Sequence, residues 1–491
     1  MIKFNFKNWS YLNILLAIIA SLLFYLFAEF PTEYQSAKTV ATIAILMSVL
    51  WMTEAIPISA TSLIPLILFP LTGTISGKQA AEAYMNSTIF LFLGGFIIAI
   101  AMEKWNLHKR IALNVINLFG STPSLIILGF MIAAAFISMW ISNTATAVML
   151  LPIGIAIISK MELSFGKEHT KTFSIALMLG IAYACSIGGV STLIGTPPNL
   201  VFQRIYKISF PDQPEMLFGD WMKFALPISI TMLGISWVLL TKIIYPPDKH
   251  LVLEKGLIKN EKELLGKMSY EEKVVALVFI ATSILWIFRV ELDLGIISIP
   301  GWSTIFPKSE FIDDGTVAIT MGFLLFLIPA KSNSENKFLL NAQSIKSIPW
   351  DIILLFGGGF ALADGFVTSQ LSKLIGSQFA TLQGVNVFLI IIAVSFVMTF
   401  LTELTSNTAT AQILLPILAA LAVQLDINPY LIMIPATISA SFAFMLPVGT
   451  PPNAIVFSSQ RVKIYEMSRA GIFLNLIGII VTTLFVWLFF N

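Results

Sequence analysis

Apolar runs of about 20 residues recur along the whole chain, divided by short polar stretches. Each is long enough to cross about 30 Å of hydrocarbon as a helix. The first, 11–30, has no small-residue cleavage site after it and reads as a membrane helix rather than a removed signal. Residues 39–51, 59–71 and 88–102 predict the second to fourth spans. Over 104–117 the pattern turns amphipathic: Trp105, Leu107, Ile111, Val115 and Ile116 oppose Lys104, His108, Lys109 and Arg110. That predicts an interfacial helix on the cytoplasmic side.

The next apolar stretch, 124–159, carries a polar interruption at its middle, Ser142-Asn143-Thr144-Ala145-Thr146-Ala147. The same six residues return at Ser406-Asn407-Thr408-Ala409-Thr410-Ala411, inside the apolar stretch 385–422, at an offset of 264. The match continues to Pro152-Ile153 and Pro416-Ile417, with 10 identities over 12 positions. Irregular backbone at membrane depth is tolerated only where protein or a water-filled cavity satisfies it, so each triplet reads as the tip of a re-entrant hairpin. Lys160, Lys167 and Lys171 predict a cytoplasmic loop after the first hairpin.

Two further stretches, 172–205 and 429–457, are interrupted by Gly195-Thr196-Pro197-Pro198-Asn199 and Gly449-Thr450-Pro451-Pro452-Asn453, and the first also by Gly188-Gly189. Consecutive prolines remove helix donors and restrict the residue before them, which predicts two broken helices. Gly94-Gly95-Phe96 and Gly358-Gly359-Phe360 extend the repeat at the same offset of 264, and close helix packing accounts for them best.

Residues 216–244, 274–287, 317–328, 351–368 and 471–490 supply the remaining spans. The result is an all-α polytopic membrane protein with about 11 transmembrane helices and two re-entrant hairpins. Its expected organisation is an N-terminal helix over 1–37, a first repeat over 38–245, a cytoplasmic linker over 246–273 and a second repeat over 274–491. The linker holds six lysines, and Lys331, Lys337 and Lys346 place a second loop on the same side. With five spans per repeat the two copies must run in opposite orientations, the N-terminus lying in the cytoplasm and the C-terminus outside. Inverted repeats of this kind place a site at the bilayer midplane where the copies meet.

Composition agrees with this picture: 57% of the 491 residues are hydrophobic, 11% are charged, and the mean hydropathy is +0.88. A soluble domain carries about a quarter charged residues. The net charge of +2 sits in loops and gives no reason to expect nucleic acid. The single cysteine, Cys185, excludes an internal disulfide and reads as a small packed residue. His108, His169 and His250 fall in polar segments far apart, where they read as solvated and support neither a metal site nor a catalytic base. No nucleophile–base pair accompanies the motifs, so an enzyme is not expected.

The duplicated motifs offer hydroxyls, amides and free backbone. Helix N-termini and N–H groups suit an anion, whereas carbonyl and hydroxyl oxygens suit a hard cation such as Na⁺. Ser138 and Thr402 each lie four residues before the triplet, adding one hydroxyl on the same helical face. Glu403 has Met139 as its repeat counterpart and stands outside the symmetric set; its two readings are orienting the second hairpin, which is favoured, and assisting a cation. Glu54 and Asp364 lie nearer span ends and read as interfacial. Neither motif contains lysine or arginine, so an anion would be held by dipoles, neutral donors and a co-bound cation.

At Trp51-Met52-Thr53-Glu54-Ala55-Ile56-Pro57, at both Ser-Asn-Thr triplets and at 441–456, the chain resembles the divalent-anion:sodium symporter family. The resemblance implies a homodimer of protomers, each with a scaffold domain and a mobile transport domain that carries the site by an elevator-type motion. It implies that Asn143, Thr144, Thr196, Asn407, Thr408, Thr450 and Pro451 hold the substrate carboxylates. It also implies at least two sodium sites, one from Ser138, Ser142, Asn143 and Gly195, the other from Thr402, Ser406, Asn407 and Gly449. The expected activity is sodium-coupled symport of C4-dicarboxylates such as succinate, malate or fumarate. The family's sodium-independent exchangers and sodium–sulfate carriers are the alternatives.

Overall fold

A chain in lipid has to satisfy its backbone polar groups within itself, and this one does so almost wholly with helices. The computed structural model describes residues 6–119, 122–248, 250–251, 262–293, 298–332 and 337–490. Lys249 and residues 252–261 of the expected linker lie outside the described residues. The first group of helices comprises α1 (Phe6–Phe27), α2 (Gln35–Thr53), α3 (Ile58–Thr61), α4 (Ile64–Thr72), α5 (Gly77–Glu82), α6 (Ser87–Lys104) and α7 (Leu107–Leu118). The first hairpin is α8 (Pro123–Ser138) and α9 (Asn143–Phe165), the first broken helix α10 (Lys167–Val190) and α11 (Pro197–Ser209), followed by α12 (Phe218–Val238).

The second half repeats this order. It contains α13 (Tyr270–Ile287), α14 (Asp314–Leu327), α15 (Ala342–Lys346), α16 (Trp350–Thr368) and α17 (Leu371–Gln378). Its hairpin is α18 (Val387–Thr402) and α19 (Asn407–Leu425), its broken helix α20 (Tyr430–Ser441) and α21 (Pro451–Ser458), and α22 (Ile464–Phe490) closes it. The only strands among the described residues are two antiparallel residue pairs, Leu292–Asp293 with Ser298–Ile299.

Nine helical segments among the described residues are long and apolar enough to span a membrane. Burial ranks them. The apolar window of α10 is wholly buried, with α8, α9, α12 and α21 packed around it, whereas that of α1 is 11% buried and lies at the periphery. The first broken helix therefore runs through the centre of the molecule, with one face of the hairpin helix α9 left exposed. Glycines allow the close approaches the sequence suggests: a Cβ on Gly94 would lie 2.4 Å from the Ala318 backbone, and one on Gly358 2.5 Å from Ser62 O.

Several boundaries differ from the sequence reading. The span expected over 59–71 is two short helices, α3 and α4, divided just before Pro65 in the first turn of α4, while Pro70 lies inside α4. The loop expected over 160–171 is helical apart from Gly166 at φ +83°, so the first hairpin reaches Phe165 rather than residue 159. The first broken helix runs from Lys167 to Ser209 rather than over 172–205, and its break lies after Val190, not at Gly188-Gly189. The second hairpin extends to Leu425 and the second broken helix to Ser458. His108 and His169 sit on α7 and α10, and His108 is half-buried with Nδ1 3.0 Å from Met102 O instead of being solvated.

Charge is spent on ties between segments. Arg110 on α7 donates through Nε and Nη2 to Glu272 at 2.8 and 3.0 Å, and also to Gly266 O and Leu265 O, fastening the end of the linker. Glu272 meanwhile closes a capping box with Ser269 at the start of α13. Asp314 accepts from Arg289 Nε at 2.6 Å and from Phe218 N at 3.1 Å, joining α14 to the start of α12.

Candidate functional site

A cavity of about 1020 Å³ lies where the two hairpin tips meet the two broken helices. Four helix N-termini open onto it, those of α9, α11, α19 and α21, with Ser142, Thr196, Ser406 and Thr450 as their N-cap residues. The breaks follow from local chemistry. Pro197-Pro198 and Pro451-Pro452 occupy the first positions of α11 and α21, where the missing N–H costs nothing. The helix dipoles direct partial positive charge at this wall, free N–H groups being confined to the starts of α9 and α19 because paired prolines open α11 and α21, and the carboxylates of Glu54 and Asp351 line the cavity as well. No lysine, arginine or histidine is among the residues lining it, so helix ends and neutral side chains carry that positive charge.

All seven residues expected to hold substrate line the cavity: Asn143, Thr144, Thr196, Asn407, Thr408, Thr450 and Pro451. Of the residues expected at the cation sites, Ser142, Gly195, Ser406 and Gly449 also line it, while Ser138 and Thr402 are fully buried behind the two asparagines.

Behind the first tip, Ser138 Oγ donates to Asn143 Oδ1 at 2.5 Å. The same corner of the amide stands 3.2 Å from Cys185 O and 3.3 Å from Gly195 O, and an inverted amide would donate to all of these oxygens. Three oxygens, Ser138 Oγ, Cys185 O and Gly195 O, thus surround one corner of the Asn143 amide. A hard cation bound there favours Oδ1 turned toward these three, and an empty site favours Nδ2 in that place.

Behind the second tip part of the arrangement recurs, and one change adds a carboxylate. Thr402 Oγ1 lies 2.7 Å from Asn407 Oδ1 and 2.9 Å from Ala440 O, so its one proton is offered to either acceptor. The change is Glu403, fully buried, whose carboxylate accepts from Met445 N at 2.8 Å, Leu446 N at 3.0 Å and Asn475 Nδ2 at 2.7 Å. It therefore holds the unwound segment of the second broken helix, the structural role its asymmetry suggested.

The asparagines of the Pro-Pro-Asn motifs perform the equivalent task by neutral bonds. Asn199 Nδ2 donates to Thr192 O at 2.7 Å, and Asn453 Nδ2 to Ala443 O at 2.9 Å and Leu446 O at 3.0 Å. Each gathers carbonyls that the broken helix leaves free.

Sequence reasoning missed the carbonyls of Cys185 and Ala440, since a backbone ligand leaves no mark in residue type. It also missed the opposite wall, formed by 52–54, 57–59, Asp351, Ile352 and Leu355. Glu54, read as interfacial, lies on that wall at the end of α2 with φ +46°, and Asp364 lies half-buried within α16.

Comparison with known proteins agrees with these observations. The model of the sodium:sulfate symporter transmembrane region matches residues 6–491. A sodium-dependent dicarboxylate transporter, SdcS, of Staphylococcus saprophyticus is 43% identical over 489 residues, covering 98% of this chain and 92% of that protein. SdcS of Staphylococcus aureus strain NCTC 8325 is 44% identical over 453 residues, covering 91% and 85%. Among solved structures, Neisseria gonorrhoeae MtrF aligns with a TM-score of 0.59 at 13% identity, covering 99% of this chain and 94% of that one. Alcanivorax borkumensis YdaH gives 0.54 at 12%, covering 85% and 87%, and both likenesses concern the fold alone. With a family model matched across the helical core and relatives above 40% identity, the chain belongs to the sodium:sulfate symporter family, the divalent-anion:sodium symporters that its motifs resemble.

Proposed function

We propose that this protein is a sodium-coupled symporter of C4-dicarboxylates such as succinate, malate or fumarate. The observation that carries the reading is the pairing of two environments in one place. Four helix N-termini face a cavity without basic residues, and an oxygen cluster lies behind each tip asparagine. The names of the SdcS relatives, sodium-dependent dicarboxylate transporters, support the same substrate class.

The proposed mechanism follows from that pairing. A doubly charged anion resists leaving water for a site held only by dipoles. Sodium on the Asn143 and Asn407 clusters supplies the missing positive charge and holds each amide so that its Nδ2 side faces the cavity. Thr144, Thr196, Thr408 and Thr450 then donate to the two carboxylates, and the backbone at Pro451 completes the wall. Binding of cation and anion is thereby reciprocal, which couples the two fluxes.

We further propose that the repeats are inverted, that the hairpins and broken helices move together as a transport domain against a dimeric scaffold, and that the N-terminus is cytoplasmic and the C-terminus outside. The site assignment is tested with an Asn143→Ala, Asn407→Ala double variant reconstituted in liposomes. Sodium-driven succinate uptake is expected to fall at least 100-fold, and uptake equal to the parent protein refutes the assignment.

A further inference from the structure

Beyond the tips the two hairpins differ at one position in a way that reaches the cavity wall. Position 148 on α9 is Val148, 55% exposed, whereas its repeat counterpart on α19 is Gln412, completely buried. Gln412 Nε2 donates to Leu355 O on α16 at 2.9 Å, and its Oε1 has no partner. Leu355 itself lines the cavity on the wall opposite the hairpin tips. Room for this approach comes from Gly359, where a Cβ would stand 2.2 Å from Gln412 Cδ. The counterpart glycine, Gly95, instead faces the apolar Ile194 at 3.4 Å.

A buried amide used at one end only gives little net stability, since the unpaired carbonyl is costly. A single polar bond made over one glycine, Gly359, is suited to being broken and remade. Bonds between membrane helices contribute about 0.6 kcal/mol on average.

We propose that Gln412 is a positioning residue that holds the second hairpin against α16 in the conformation described above, and that its bond to Leu355 O opens when the hairpin moves during transport. The proposal rests on the transport reading given above. It also makes the two hairpins unequal: the second is tethered to the wall and the first is not.

The test uses Cys185, the single cysteine, which is buried, so a Met52→Cys reporter on the cavity wall can be labelled with a hydrophilic maleimide against a silent background. Gln412→Met keeps the volume and removes the donor, and Gly359→Ala displaces the amide. Each is expected to change the alkylation rate of Met52→Cys about threefold in sodium-free medium, the factor corresponding to about 0.6 kcal/mol. The double variant should show no further change, because both substitutions remove one interaction. An unchanged rate in Gln412→Met that retains sodium-driven uptake overturns the proposal, as does an additive double variant. Should Gln412→Met fail to fold, Gly359→Ala alone is decisive by the same criterion. Absence of sodium-driven uptake in the parent protein would instead overturn the transport reading.

Discussion

Gly189→Ala adds one carbon to the first oxygen cluster and removes no polar group. A Cβ at that position would lie 2.6 Å from Asn143 Oδ1 and 3.0 Å from Gly195 O. Side-chain Cβ contacts essentially never come inside 3.0 Å, so Asn143 Oδ1 has to retreat by at least 3.0 − 2.6 = 0.4 Å. Metal sites hold their ligand distances to about ±0.2 Å, so this displacement is about twice the tolerance. Disturbing the partners that orient a ligand typically costs about 10–100-fold in metal affinity. The half-saturating sodium concentration for uptake should therefore rise at least tenfold, a loss of about 1.4 kcal/mol. The dicarboxylate KM at saturating sodium should move less than about threefold, because the carbon enters behind the asparagine. Uptake into proteoliposomes at graded external sodium measures both quantities. Gly188→Ala is the contrasting control: its Cβ would meet Ala135 O at 2.2 Å, and fixed helix backbone cannot yield, so folding rather than sodium affinity should suffer. A half-saturating sodium concentration within twofold of the parent value in folded Gly189→Ala would refute the placement of a cation at this cluster.

Two other substitutions test the supporting structure. Glu403→Ala leaves Met445 N, Leu446 N and Asn475 Nδ2 without their acceptor, and each buried orphan costs about 1–3 kcal/mol. Its melting temperature in detergent should fall by several degrees and sodium-driven uptake should be abolished, while Glu403→Gln, which retains one acceptor oxygen, should fall between the two. Arg110→Ala strands the buried Glu272 and the carbonyls of Leu265 and Gly266, at a cost of about 3 kcal/mol. Here melting should again drop while the half-saturating sodium concentration stays within twofold, since the tie lies away from the cavity.

The tips and breaks were legible in the sequence because polar residues and paired prolines within apolar runs are costly, and duplication marked them out. Helix ends were less legible. Met161–Phe165 continues α9 with Met161 buried and Glu162 paired to Arg461, which follows the second broken helix, a contact no local pattern announces. Gly188-Gly189 looked like a break, yet these glycines serve approaches from Ala135 and Asn143 that become visible only once the helices are placed together. Side-chain oxygens of the clusters could be named in advance, whereas the carbonyls of Cys185 and Ala440 could not, since any residue type supplies a carbonyl. Gln412 was visible as a letter in the repeat, and its meaning depends on the glycine 53 residues before it.

Sodium-coupled symport is tested most directly by uptake of labelled succinate into proteoliposomes that contain no internal substrate. An inward sodium gradient should drive accumulation above the equilibrium level, and dissipating the gradient with a sodium ionophore should abolish it. Uptake that ignores sodium and occurs only when the liposomes are preloaded with dicarboxylate would identify an exchanger and contradict the symport mechanism.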